Sequence, residues 1–342
     1  MNKVDDSNLS QAPQHGGRLN AAAARYGIPR EQWLDLSTGI NPNGWPVPPL
    51  PAEVFSRLPE DDDGLQQAAV DYYGSRDLLL LPGSQAAIQA LPELRFDQSG
   101  PSRTGVLQPA YAEHAFRWQQ AGHQVVPLTV EQIDAHLAEL DVLVLINPCN
   151  PSGVTFSLQC LRRWHAALAS RGGWLLVDEA FIDATPELSL VRDPMPKGLL
   201  VLRSLGKFFG LAGIRVGALC AAEPVRDALA RRMGPWAISH PARWIATRAL
   251  QDKCWQQCMR EMLQEQKTRL HTLLEKCLRQ PVSSTALFAT VFTEQAEPIE
   301  QACAQAGILV RRFDQPAALR FGLPGSEAQW QRLEQCLKEI QP

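Results

Sequence analysis

The stretch Ser204-Leu205-Gly206-Lys207-Phe208-Phe209-Gly210-Leu211-Ala212-Gly213-Ile214-Arg215-Val216-Gly217 decides how the rest of the chain is read. It leaves an apolar run, Gly198 to Leu202, that reads as a buried strand, and crosses glycine-rich backbone into a second apolar run, Arg215 to Cys220. A lysine is out of character there, because its ammonium is costly to bury unpaired. Held in a semi-apolar, cationic pocket it loses part of its proton affinity and becomes a nucleophilic amine, the property needed for a Schiff base with an aldehyde. Ser204 and Arg215 add a hydroxyl and a guanidinium that suit a phosphate. The alternative is a tight turn between two strands with an exposed lysine, and this stretch alone does not choose.

The neighbouring segments supply a frame. Leu78 to Leu81, Thr104 to Gln108, His123 to Pro127, Asp141 to Ile146 and Gly173 to Val177 read as short apolar strands. Helical patterns from Ser84, Tyr111, Val130 and Ser157 alternate with them. That alternation predicts an α/β fold with a mainly parallel sheet. In such sheets ligands sit beyond the carboxyl ends of the strands. The loops at Gly83, Pro109 to Tyr111, Asn147 to Gly153, Asp178 and Ser204 to Lys207 all occupy that position. Gly83-Ser84-Gln85 joins a strand to a serine-capped helix, whose orphan N–H groups point at an anion; an ordinary N-cap is the plainer alternative.

After Cys220 the pattern becomes helical (Pro224 to Arg232, Pro241 to Arg279), then mixed: strands at Ala286 to Phe292, Ile308 to Arg311 and Ala318 to Gly322, and helices at Glu297 to Ala306 and Glu327 to Ile340. The expected organisation is an N-terminal arm and helix over residues 1–35, a large domain over 36–224 and a smaller α+β domain over 225–342.

Composition excludes several classes. The 342 residues are 45% hydrophobic and 20% charged with a net charge of -3, which favours neither nucleic acid nor an anionic membrane as partner. No stretch is apolar enough to span a bilayer, and the polar opening MNKVDDSNLSQAPQHGG lacks the apolar centre of a signal peptide, so a cytoplasmic protein is expected. The 8 cysteines are scattered, and no histidine completes a metal set around Cys254 and Cys258, so reduced structural cysteines and no metal are expected.

The order Gly83-Ser84-Gln85, Tyr111, Asn147-Pro148 through Asn150-Pro151-Ser152-Gly153, Asp178-Glu179-Ala180-Phe181, Ser204 to Lys207, Arg215 and Arg320 resembles the fold-type I pyridoxal-phosphate enzymes of the class I/II aminotransferase family. It is most similar to the branch holding histidinol-phosphate aminotransferases and threonine-phosphate decarboxylases. The resemblance implies that Lys207 carries pyridoxal 5'-phosphate and shuttles protons. It implies that Asp178 pairs with the pyridine nitrogen, Asn150 bonds the ring's phenolic oxygen and Tyr111 stacks on the ring. Gly83, Ser84, Gln85, Ser204 and Arg215 would hold the cofactor phosphate. Arg320 would grip the substrate carboxylate and Arg311 a substrate phosphate, while Arg312 beside it faces the other way if this is a strand.

Two departures stand out. Phe181 occupies a position where relatives often carry a tyrosine, so Asn150 would bond the ring oxygen alone. Leu58, in Arg57-Leu58-Pro59-Glu60-Asp61, replaces a tyrosine that in many relatives reaches the neighbouring subunit's cofactor phosphate. The run His15-Gly16-Gly17 ahead of Leu34 to Pro42 resembles the opening of the decarboxylases, which implies that His15 and Gly16 meet a substrate phosphate and that Gly39, Ile40 and Asn41 line the carboxylate. The implied reaction is decarboxylation of L-threonine O-3-phosphate to (R)-1-amino-2-propanol O-2-phosphate for cobalamin, by a homodimer acting on a small phosphorylated amino acid. The alternatives are transamination of histidinol phosphate and a catalytically silent binding protein on the same fold; retention of both Lys207 and Asp178 argues against silence.

Overall fold

The structure is a computed structural model that describes residue 13 and residues 15–340; the rest of the arm expected before Gly17 lies outside the described residues. The strands are β1 (Leu34–Asp35), β2 (Leu78–Leu81), β3 (Arg103–Leu107), β4 (Gln124–Leu128), β5 (Val142–Ile146), β6 (Trp174–Asp178), β7 (Leu199–Ser204), β8 (Gly217–Ala221), β9 (Val282–Ser284), β10 (Phe288–Phe292), β11 (Ile308–Leu309), β12 (Arg311–Asp314) and β13 (Ala317–Gly322).

The seven-stranded sheet has the order β2-β8-β7-β6-β5-β3-β4. From β7 to β4 the pairs are parallel, and β8 alone runs against both its neighbours. The fold is therefore α/β with a mostly parallel sheet, as the alternation predicts. Both faces are covered, which explains the unbroken apolar runs. Because side chains alternate across a strand, Val142, Val144, Leu200 and Leu202 pack on one side with Ile88, Leu91 and Trp118 of the helices Ser84–Ser99 and Glu113–Gln120. Leu143, Leu145, Val177 and Val201 pack on the other side in the cluster that holds Leu161, Leu250 and Met259. The strand ends at Leu81, Ile146, Asp178 and Ser204 thus share one edge, and Gly217 sits in register between Leu81 and Ser204.

A second sheet, β12-β13-β10-β9, is antiparallel. Its register places Arg311 directly opposite Arg320, so both side chains lie on one face. Arg312 turns to the other face and meets Glu297 and Glu300. The expected single strand Ile308 to Arg311 is two: Ile308 and Leu309 pair with Leu34 and Asp35, and Arg311 begins the pairing with β13. Helix Leu19–Tyr26 ends at Gly27, and the long pattern after Pro241 divides at Asp252 into His240–Gln251 and Lys253–Leu278. Asp252 makes that break by capping the second helix through Trp255 N–H while accepting from Trp45 Nε1. Ser84 is the first helical residue rather than the cap; Gly83 holds the cap position, with φ +80°.

Among the described residues no helix is long and apolar enough to cross a membrane, and no group of three or more His, Cys, Asp or Glu could hold a metal. All 8 cysteines are free.

Candidate active site

The carboxyl edge of the large sheet and the arginine face of the small sheet enclose a cavity of about 450 Å³. Its walls carry His15, Gly16, Gly39, Ile40, Tyr111, Asn150, Lys207, Arg311 and Arg320, and no acid is among its lining residues.

Lys207 lies one turn beyond β7. Asn41 holds this loop in place: its N–H donates to Lys207 O (3.0 Å) and its Nδ2 to Phe208 O (2.8 Å). Asn41 is buried and lies behind the cavity wall, so its side chain supports the lysine loop rather than lining the substrate space. The Lys207 amine sits over the Phe181 ring at 5.4 Å. Burial first, then the positive charges of Arg320 and Arg215, hold its pKa down to about 8, against the opposing pull of Asp178. The sequence-level reading of an activated amine therefore has a physical cause here. In cofactor-free protein, the rate at which Lys207 captures an aldehyde is expected to rise with pH to about 8 and then level, as measured by stopped-flow absorbance. A solvated lysine would keep gaining towards 10.5.

Asp178 ends β6 and is nearly inaccessible. Its Oδ2 accepts from His114 Nε2 at 3.1 Å and its Oδ1 from Ala180 N–H at 3.0 Å. His114 was not expected from the sequence. It is fully buried on the helix Glu113–Gln120, and its role depends on a partner 64 residues away.

The phosphate cup expected at Gly83 is built from backbone. Helix Ser84–Ser99 starts without a side-chain cap, which leaves its first N–H groups for an anion. A Cβ on Gly83 would come within 2.8 Å of the Arg215 guanidinium, and its φ of +80° favours glycine. Ser204 lies beside Gly217 in register, its hydroxyl accepting from Gly206 N–H at 3.2 Å. The Gln85 side chain turns away from the cup: it donates to Glu113 Oε2 (2.9 Å) and accepts from Tyr111 OH (3.2 Å).

On the opposite wall Arg320 donates to Asn150 Oδ1 and, at 2.6 Å, to the Ser37 carbonyl, while its buried Nε has no hydrogen-bond partner. Burial and then the Arg311 charge lower its pKa to about 10. The Arg311 guanidinium is lowered too, by burial and Arg18. Positive groups that depress one another in an enclosed, acid-free space constitute an anion site. The donor set fits a phosphorylated aldehyde: a free amine, an uncapped helix start beside a guanidinium, and a buried carboxylate fixed by a histidine.

A buried cluster behind the site was also not legible in the sequence. Arg203 pairs with Asp183 and, at 3.5 Å, with Glu179; burial pushes Glu179 up to about 7. It braces the residues next to Asp178 and Ser204.

The sequence model of the family Aminotransferase class I and II matches residues 58–336. The chain is 49% identical over 324 residues to a threonine-phosphate decarboxylase of Pseudomonas aeruginosa, covering 95% of this chain and 97% of the relative. It is 38% identical to one from a Sinorhizobium species, covering 96% and 98%. In fold it is similar to histidinol-phosphate aminotransferase from Sinorhizobium meliloti, solved in complex with pyridoxal-5'-phosphate, with TM-score 0.80, 18% identity and coverage of 99% and 98%. With a match that runs from Leu58 through the lysine loop to both arginine strands, the chain belongs to the class I and II aminotransferase family.

Proposed function

We propose that this protein is a pyridoxal 5'-phosphate-dependent decarboxylase that converts L-threonine O-3-phosphate to (R)-1-amino-2-propanol O-2-phosphate, the nucleotide-loop arm of cobalamin. The observation that carries this reading is the acid-free cavity in which Arg311 and Arg320 stand opposite each other in register, with Lys207 on the facing wall. Two guanidinia on one face suit a small substrate with two anionic ends. The near-full-length likeness to threonine-phosphate decarboxylases supports the choice of substrate.

The cofactor, when bound, supplies an electron sink conjugated to the substrate's α-carbon. The protein's own residues do the rest. Lys207 would supply the amine that holds the cofactor, and Asp178, oriented by His114 and the Ala180 N–H, would offer its carboxylate to the ring nitrogen. Arg215 and the start of helix Ser84–Ser99 would hold its phosphate. Arg320 takes the substrate carboxylate and Arg311 the phosphate, so the α-carbon is held at two points. Holding it so would select the bond to the carboxylate as the one that breaks. Carbon dioxide leaves without its electron pair, and Lys207, protonated at Nζ, returns a proton to the α-carbon. Turnover in deuterated water is therefore expected to give a product with a single deuterium at the aminomethyl carbon, on one face, seen by proton NMR. A product without deuterium there would contradict the assigned proton donor.

The proposal includes a cytoplasmic homodimer. The outward-facing Phe55, Leu58 and Trp236, at 70%, 61% and 60% exposure, are large apolar side chains that a second subunit would cover. Leu58 brings no hydroxyl to that boundary. The proposal divides the chain at residues 35 and 224; the seven-stranded sheet lies within residues 78–221 and the four-stranded sheet within residues 282–322.

A further inference from the structure

One short segment, which brings His15 and Gly16 to the cavity lining, is fastened on two sides. On one side the Gly17 N–H donates to Ser37 Oγ at 2.7 Å, and Ser37 is itself held by Asp35 Oδ1, 2.6 Å from its hydroxyl and 2.9 Å from its N–H. On the other side His15 Nε2 lies 2.9 Å from Glu113 Oε1, and the imidazole rests against the Tyr111 ring at 5.4 Å between centroids. Between the two fastenings Gly16 runs so close to the Ser37 carbonyl that a Cβ would collide with it.

Glu113 is the unusual member of this set. It is not on the cavity wall, and its side chain is only 8% exposed. A buried carboxylate is costly unless donors surround it. Here one oxygen takes His15, and the other takes Gln85 Nε2 at 2.9 Å and Arg117 Nε at 3.2 Å. Burial alone would raise its pKa; those three donors overcome it and hold the group low. Gln85, so fixed, presents its oxygen to the Tyr111 hydroxyl. One carboxylate thus ties together this segment, the start of the helix proposed to face the cofactor phosphate, and the aromatic side chain on the cavity wall.

We propose that Glu113 is a positioning residue that fastens residues 15–17 as a strap over the bound substrate, acting through His15 on one side and through Gln85 and Tyr111 on the other. The role of the strap in substrate binding rests on the proposed function; the fastening itself does not. Glu113 touches no substrate atom, so its loss should appear as looser binding rather than as failed chemistry.

The test uses the cofactor-loaded protein and the variants Glu113→Ala, His15→Ala and the double variant. Glu113→Ala is expected to raise KM for L-threonine O-3-phosphate about tenfold, the effect of losing one charge-assisted hydrogen bond, with the larger change in KM rather than kcat. The double variant is expected to raise KM no further than the worse single one, because the two residues act as a unit. Amide hydrogen exchange at Gly16 and Gly17 is expected to quicken in Glu113→Ala while the central sheet stays protected. Multiplying KM effects in the double variant, or unchanged exchange at Gly16 and Gly17, would overturn the proposal. If Glu113→Ala does not fold, Glu113→Gln, which keeps the volume and removes the charge, is read by the same exchange measurement. Should the wild-type protein not turn over threonine phosphate, the substrate assignment fails while the exchange comparison still decides the strap.

Discussion

Lys207→Ala is expected to abolish turnover, with kcat/KM falling on the order of 10⁴-fold or more, the scale seen when a covalent catalyst's reacting group is removed. It should also remove the visible absorbance that a lysine-linked pyridoxal phosphate gives the purified protein. Both effects follow from one atom. The Lys207 Nζ is the amine on the cavity wall that burial, Arg320 and Arg215 hold at about 8. Alanine leaves intact the Gly83 and Arg215 groups proposed to hold the phosphate, so cofactor should still bind, but reversibly. Dialysis should strip it from the variant and leave it on the parent protein. Lys207→Arg should not rescue, because a guanidinium does not deprotonate at working pH. A coloured, active alanine variant would remove the lysine from the chemistry altogether.

The second large effect is expected at Arg320. Truncating one partner of a hydrogen-bonded charge pair costs roughly 2–5 kcal/mol, so Arg320→Ala should lower kcat/KM about 30- to 5,000-fold. Arg320 is buried, and its guanidinium already spans Asn150 and the Ser37 carbonyl. Its Nε remains without a hydrogen bond, and its neighbours Lys207 and Arg311 share its charge, so an incoming carboxylate relieves an existing strain rather than displacing a partner. With Arg320 holding the substrate carboxylate as proposed, kcat should fall together with kcat/KM. Arg320→Lys should recover little, since an ammonium cannot reach Asn150, Ser37 and a carboxylate at once. A loss confined to KM would reduce Arg320 to a non-directional anchor.

Much of this was legible in the sequence because it depends on local pattern. The run Asp141 to Ile146 reads as a doubly covered strand because it is one, and each loop singled out beyond a strand lies on the shared edge. The opposite facing of Arg311 and Arg312 follows from the two-residue period alone, and the structure has it. What escaped the reading depends on contacts between distant residues. His114 and Glu113 look like ordinary residues of an amphipathic helix, and Glu113 has an unremarkable i,i+4 partner in Arg117. Their significance comes from Asp178, His15 and Gln85, 64, 98 and 28 residues away. Ile308 to Arg311 reads as one strand because its apolar run is continuous. It is divided only because its halves find partners at Leu34 and Arg320. The strand Val282–Ser284 carries little sequence signal, since two of its three residues are serine. Asn41 sits in a turn-rich loop that resembles a substrate-lining one, and only the structure shows its side chain turned under Phe208.

The central claim is the choice between breaking a carbon–carbon bond and moving an amino group, and one paired assay tests it most directly. Purified protein loaded with pyridoxal phosphate is given L-threonine O-3-phosphate in one vessel, and histidinol phosphate with 2-oxoglutarate in another. The account predicts carbon dioxide and an equal amount of phosphorylated aminopropanol in the first vessel, and no glutamate in the second. Glutamate in the second vessel with no carbon dioxide in the first would contradict it.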